Sequence, residues 1–189
     1  MNIFDLLNDS ARPKAPAIPG ATPADRIAGK RLALIHKMHL EAIDETKAVM
    51  ERVEAGQAGS DQLADKIASI EMMSNYAKFG NLCGRECEYL NYHHTAEDRQ
   101  IFPILHQNGS DGLKRVIERL GEEHVVIHEL LVKLAEDAAA IRTQPGPETF
   151  SQARETFVLL DQVVRSHFGY EQTELEEALG YYNALQDLT

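Results

Sequence analysis

His93-His94-Thr95-Ala96-Glu97 sets a histidine and a glutamate four residues apart, and three other stretches repeat the idea: His36-Lys37-Met38-His39, His124-Val125-Val126-Ile127-His128 and His167-Phe168-Gly169-Tyr170-Glu171. Steps of three or four place both side chains on one face of a helix. Histidine and carboxylate are ligands that suit iron and similar first-row metals. One such patch means little. Four of them, each on a different expected helix, describe the inside of a metal-holding, up-down-up-down four-helix bundle.

The sequence around these patches is helical in pattern. Apolar residues recur at three- and four-residue steps over roughly 25–54, 61–106, 111–142 and 148–179, and no stretch alternates as a strand would. Breaks fall at Gly56 to Ser60, at Asn108-Gly109-Ser110 and at Gln144-Pro145-Gly146-Pro147. In an up-down hairpin, residues at one height are equidistant from the turn. The His93/Glu97 and His124/His128 patches centre on the Asn-Gly-Ser turn. The His124/His128 and His167/Glu171 patches centre on the Pro-Gly-Pro break. The first hairpin carries about a dozen surplus residues, roughly 20 Å of helix at 1.5 Å per residue. An extra short helix or a bend is therefore expected within 61–92. Residues 1–24 hold Pro13, Pro16, Pro19 and Pro23 and read as an extended arm, with a short turn expected at Asn2–Leu7; residues 25–189 form the bundle domain.

Bulk composition narrows the function. The 189-residue chain is 43% hydrophobic, enough for one domain with a core. Its net charge of -11 repels phosphate backbones, so nucleic acid is not an expected partner. No apolar run is long enough to span a bilayer, so no membrane partner is expected. The first residues carry no basic segment leading into an apolar one, and the expected location is cytoplasmic. Cys83 and Cys87, four apart on one helix, suit a reducing compartment and read as small core residues.

The candidate ligands are His36, His93, Glu97, His124, His128, His167 and Glu171, with His39 the alternative to His36. Glu97 and Glu171 are the sharpest clues, because an ionised carboxylate facing a core is costly unless a cation meets it. His94 pairs with Asp98 beside the main stripe and reads as a neighbour of the site. If both carboxylates and one oxo or hydroxo oxygen bridge two metals, five imidazoles fill one metal to six ligands and the other to five. One place then stays open for a small ligand.

In three segments, His93-His94-Thr95-Ala96-Glu97-Asp98 running to Ile101-Phe102-Pro103, Glu122-Glu123-His124-Val125-Val126-Ile127-His128, and His167-Phe168-Gly169-Tyr170-Glu171, the chain resembles the hemerythrin-like (HHE cation-binding) family. The resemblance runs over about residues 30–180. It implies an up-down four-helix bundle holding a non-haem di-iron site, with two iron ions and the seven ligands named above. Its members include oxygen carriers and sensors and proteins tied to iron handling or nitrosative stress. Oxygen carriers of the family end their last motif on a longer spacing to aspartate, whereas here it is His167-x-x-x-Glu171.

Three functions share these ligands. The first is a binding protein that takes up O2 or NO as sensor, buffer or scavenger, leaning away from an enzyme. The alternatives are a di-iron oxidoreductase acting on peroxide or NO, and an iron-handling protein. Sensing would need a protein partner to carry the signal onward.

Overall fold

A computed structural model describes residues 8–56, 59–62 and 85–185 of the chain. The described residues form an all-α helical bundle, as the apolar spacing predicts, and hold no strand. We number the helices α1 (Pro23–Gly29), α2 (Arg31–Glu54), α3 (Arg85–Ala96), α4 (Phe102–Asn108), α5 (Asp111–Thr143) and α6 (Pro147–Tyr181), with a π-helical turn at Glu97–Ile101 joining α3 to α4. The short turn expected at Asn2–Leu7 and most of the expected irregularity within 61–92, Cys83 included, lie outside the described residues. No described helix is long and apolar enough to cross a membrane.

Local chemistry sets the helix ends. Thr22 and Asp25 form a reciprocal capping box at the start of α1, with Pro23 in the first turn where its missing N–H is harmless. The Gly109 N–H bonds the Leu105 carbonyl and closes α4; the Ser110 hydroxyl accepts the Leu113 N–H and opens α5. Pro147 begins α6 after the Pro145-Gly146 break. The expected first helix is interrupted, because α1 ends at Gly29 and α2 begins at Arg31.

Two compact units can be distinguished. One comprises residues 1–37, 93–126 and 163–189; the other comprises 38–92 and 127–162. The second is filled by Ile43, Met50, Ile127, Leu134, Ile141, Phe157 and Leu160, with one buried polar contact in which the Thr156 hydroxyl donates to Asp137 at 2.6 Å. The first is built on Leu32, Ile101, Phe102, Leu105, Leu113, Ile117, Leu120, Leu175 and Leu179. It also holds every residue of the polar cluster described below.

Within the first unit, α1 lies against the end of α6 at a separation only glycine permits. A Cβ on Gly29 would stand 1.8 Å from the Glu176 carbonyl oxygen, and one on Gly180 would stand 1.8 Å from that of Asp25. Neither obstacle is a flexible side-chain tip, so relief requires the helices to part. Gly121, on α5, has nothing within 4 Å of its Cβ position. Gly29→Ala and Gly180→Ala are expected to destabilise the protein by about 1–3 kcal/mol or more. Gly121→Ala is expected to be neutral or to stabilise by about 0.5–1 kcal/mol through helix propensity alone. Denaturant midpoints of the three variants check the ordering.

Candidate metal centre

α2, α3, α5 and α6 each bring histidine or glutamate to one buried place. Among the described residues, two groups of side chains have ligand atoms within 4.8 Å of one another: His36, His93, Glu97 and Glu171 in one, and His94, His124 and His167 in the other. Glu97 and Glu171 are 1% and 0% exposed, and His36 and His167 are fully buried.

The carboxylates tie the two groups together. Glu97 lies with Oε1 3.2 Å from His93 Nε2 and Oε2 3.5 Å from His124 Nε2. Glu171 Oε2 lies 3.2 Å from His36 Nε2 and 3.8 Å from His167 Nε2. Each glutamate thus addresses one imidazole of either group. That is the placement a bridging carboxylate needs.

Outer partners orient the rings. His124 Nδ1 is 2.9 Å from Asp98 Oδ1, and His167 Nδ1 is 3.0 Å from Glu123 Oε2. His36 Nδ1 is 2.7 Å from the side-chain amide of Gln172. At His124 and His167 the carboxylate accepts a hydrogen bond from the ring N–H at Nδ1, which leaves the Nε2 lone pair pointing inward, the tautomer a metal requires. Aromatic rings close the remaining sides: Phe168 stacks on His36 at 3.8 Å between centroids, and Phe102 stacks on His124 at 5.4 Å.

The residues fit a bound cation better than they fit each other. None of the four oxygens of Glu97 and Glu171 makes a hydrogen bond, nor does Nε2 of His124 or His167, although all are buried. Burial, and then the negative charge of Glu171, push the Glu97 carboxyl well above the usual carboxylate range. Burial, and then the positive charges that His124, His36 and His93 would carry, hold His167 well below an ordinary histidine. So many unsatisfied buried groups are uncommon in a native fold without an ion or water to meet them.

The helix carrying Glu97 is irregular at this point. The Phe102 N–H bonds the Glu97 carbonyl, a five-residue step, through the π turn. Pro103 explains it: proline has no N–H for the carbonyl four residues earlier, and its ring crowds that carbonyl. Around the turn Glu97 faces inward while Asp98 reaches His124, so consecutive residues serve the centre and its outer ring.

Of the residues singled out in the sequence, His36, His93, Glu97, His124, His167 and Glu171 are brought together here. His128 and His39 are not in either group. His128 is half-buried four residues beyond His124, a rise of about 6 Å along α5. His94 stands in the second group, with His124 and His167. The signal for it was the dipeptide itself. Adjacent helix positions point about 100° apart, so His93 and His94 diverge from one turn of α3, one ring to each group.

The match to known families is specific: residues 29–179 fit the hemerythrin HHE cation-binding domain. The chain belongs to this family. No curated protein and no solved structure matches it. A hemerythrin HHE domain is cation-binding, and the described residues include two groups of histidine and glutamate that could hold a metal ion.

Two outcomes are expected. In the metal-free protein Glu97 has a raised pKa, so its protonated form persists above the ordinary carboxylate range of about 4.5. Its contribution to stability is fully present below that value and is lost as pH rises through its folded pKa. Metal needs the ionised form, so over an interval of pH above the ordinary carboxylate range loading should release a proton that Glu97→Gln does not release. Calorimetry in buffers of different ionisation enthalpy reads this directly. Equal release by both chains would remove Glu97 from the centre. Secondly, His94→Ala should lower metal content sharply while His128→Ala leaves it near the unaltered value, as read by metal analysis of dialysed samples.

Proposed function

We propose that the chain is a non-haem di-iron protein that binds O2 or NO reversibly, as sensor, buffer or scavenger. The observation that carries this is the unequal division of the imidazoles. His36 and His93 stand with one position, and His94, His124 and His167 with the other, while Glu97 and Glu171 address both. If both carboxylates are shared, the position held by His36 and His93 has one protein ligand fewer. When iron is bound, that difference supplies a place at which a small ligand adds.

The surroundings suit a small uncharged ligand. Phe168 lies flat on His36 and edge-on to His93, so apolar surface borders the less crowded position. Such a border favours an uncharged diatomic over a charged or bulky substrate. An oxidoreductase acting on peroxide or NO, or an iron-handling protein, would use the same ligands; the apolar border favours binding. The proposal includes an up-down-up-down arrangement of four helices, an arm over 1–24 ahead of a domain over 25–189, and a cytoplasmic location, where a reducing environment keeps iron in the ferrous state. A sensing role adds a protein partner.

The test begins with stoichiometry. Reconstitution under anaerobic conditions should give about two irons per chain, with the coupled-iron signature of a bridged pair. The ferrous protein exposed to O2 or NO should develop an optical band that reverses on removal of the gas. One iron per chain without coupling would reject the paired centre. Sustained consumption of NO or peroxide would move the assignment to the oxidoreductase. Glu171→Gln should reduce iron retention severely, because a neutral amide is a poor bridge, whereas a surface residue would cost within about 0.5 kcal/mol of stability.

A further inference from the structure

The arm ahead of the HHE domain reaches the candidate centre. Arg12 is 4% exposed although it lies outside the matched residues 29–179. Its guanidinium forks onto a fully buried carboxylate: Nε is 3.0 Å from Glu123 Oε1 and Nη2 is 3.1 Å from Oε2. The same Oε2 is 3.0 Å from His167 Nδ1. Three side chains thus form one connected line from the arm to a candidate ligand. Arg119 also donates to Glu123 Oε1, at 2.9 Å, and Arg12 donates to the oxygen facing His167.

Arg12 is itself held on every side. Nη1 donates to Asp9 Oδ1 at 2.7 Å, to the Ser166 hydroxyl at 2.9 Å and to the Ser166 carbonyl at 3.3 Å. The guanidinium sits 4.7 Å above the Tyr170 ring. The rest of the arm follows the same helix: the Tyr170 hydroxyl donates to the Pro13 carbonyl, and the Ala15 and Ile18 N–H groups donate to Glu174 and Glu177. α6 therefore carries two neighbouring stripes. Ser166, Tyr170, Glu174 and Glu177 hold the arm; His167 and Glu171 face the centre.

We propose that Arg12 is a positioning residue for the metal centre, so that docking of the N-terminal arm and loading of metal at the His94, His124 and His167 position are thermodynamically linked. The inference rests on the reading of His167 as a ligand. Metal at Nε2 fixes the ring proton on Nδ1, which then donates permanently to Glu123. Arg12 fixes the plane of that carboxylate so that Oε2 stays where Nδ1 needs it. Whatever holds the arm down strengthens the site, and metal in the site holds the arm down by the same factor. A partner that lifts residues 8–22 would loosen one metal of the two.

The full chain is loaded anaerobically with ferrous iron and titrated with a ferrous chelator, and tryptic cleavage after Lys14 is followed in loaded and metal-free samples. Arg12 itself precedes Pro13 and resists trypsin. The unaltered chain should hold two irons and be cleaved after Lys14 about tenfold more slowly when loaded. Arg12→Ala should lose one iron at about tenfold lower chelator concentration, and its cleavage rate should no longer depend on metal. Arg12→Lys, which keeps the charge without the fork, should fall between and serves if the alanine variant fails to fold. Arg26→Ala, which removes an ion pair between α1 and Glu177, should lose one iron earlier in the titration to the same extent that it speeds cleavage after Lys14. Two irons held equally by the unaltered chain and a folded Arg12 variant, or an Arg26 variant cleaved faster with both irons held as firmly as before, would overturn the linkage while leaving the centre intact. An unaltered chain that takes up no iron would overturn the centre itself, and the linkage with it.

Discussion

Two glutamates enclosed by imidazoles, with no hydrogen bond to any of their four oxygens, are the constraint on which the rest of this protein depends. A buried carboxylate without a counter-charge is strongly unfavourable, and two side by side are worse. The fold tolerates the pair because histidines from four helices stand around it with their Nε2 atoms turned inward. The arrangement is poor as a self-contained polar network and good as a cradle for cations. The buried carboxylates carry a penalty that a cation held between them would offset.

Around that centre, a second layer decides direction. Asp98, Glu123 and Gln172 sit at the outer nitrogens of His124, His167 and His36. The π turn next to Pro103 lets consecutive residues of one helix serve two layers, Glu97 inside and Asp98 outside. The arm adds a third layer, because Glu123 is buried and needs positive partners of its own. Arg12 and Arg119 meet it from different parts of the chain. Outward from the candidate centre run carboxylate and imidazole, then carboxylate, then guanidinium. Each layer compensates the one within.

Much of this was legible in the sequence for a simple reason: a helix converts spacing into direction. The three- and four-residue apolar steps predicted an all-α fold, and the breaks at 108–110 and 144–147 follow from turn chemistry that acts locally. The same rule marked His36, His93, Glu97, His124, His167 and Glu171 as inward-facing. It marked His128 equally, because spacing states which face a residue occupies and not how far along the helix the centre lies. It passed over His94 because that residue sits beside the main stripe. Only convergence from another helix gives such a residue a place.

The sequence by itself determined the helices, their breaks and the family, since each rests on residues close together in the chain. Tertiary structure decided the rest. Which four-step histidines share a height depends on how helices are placed against one another, and at α3 that placement includes a π turn. That the crossing of α1 and α6 rests on Gly29 and Gly180 emerges only when two backbones meet. The Arg12–Glu123 contact joins residues 111 positions apart and follows no period. A proline-rich arm reads as a loose leader until its one arginine is seen inside the protein, paired to the carboxylate that holds a histidine of the centre.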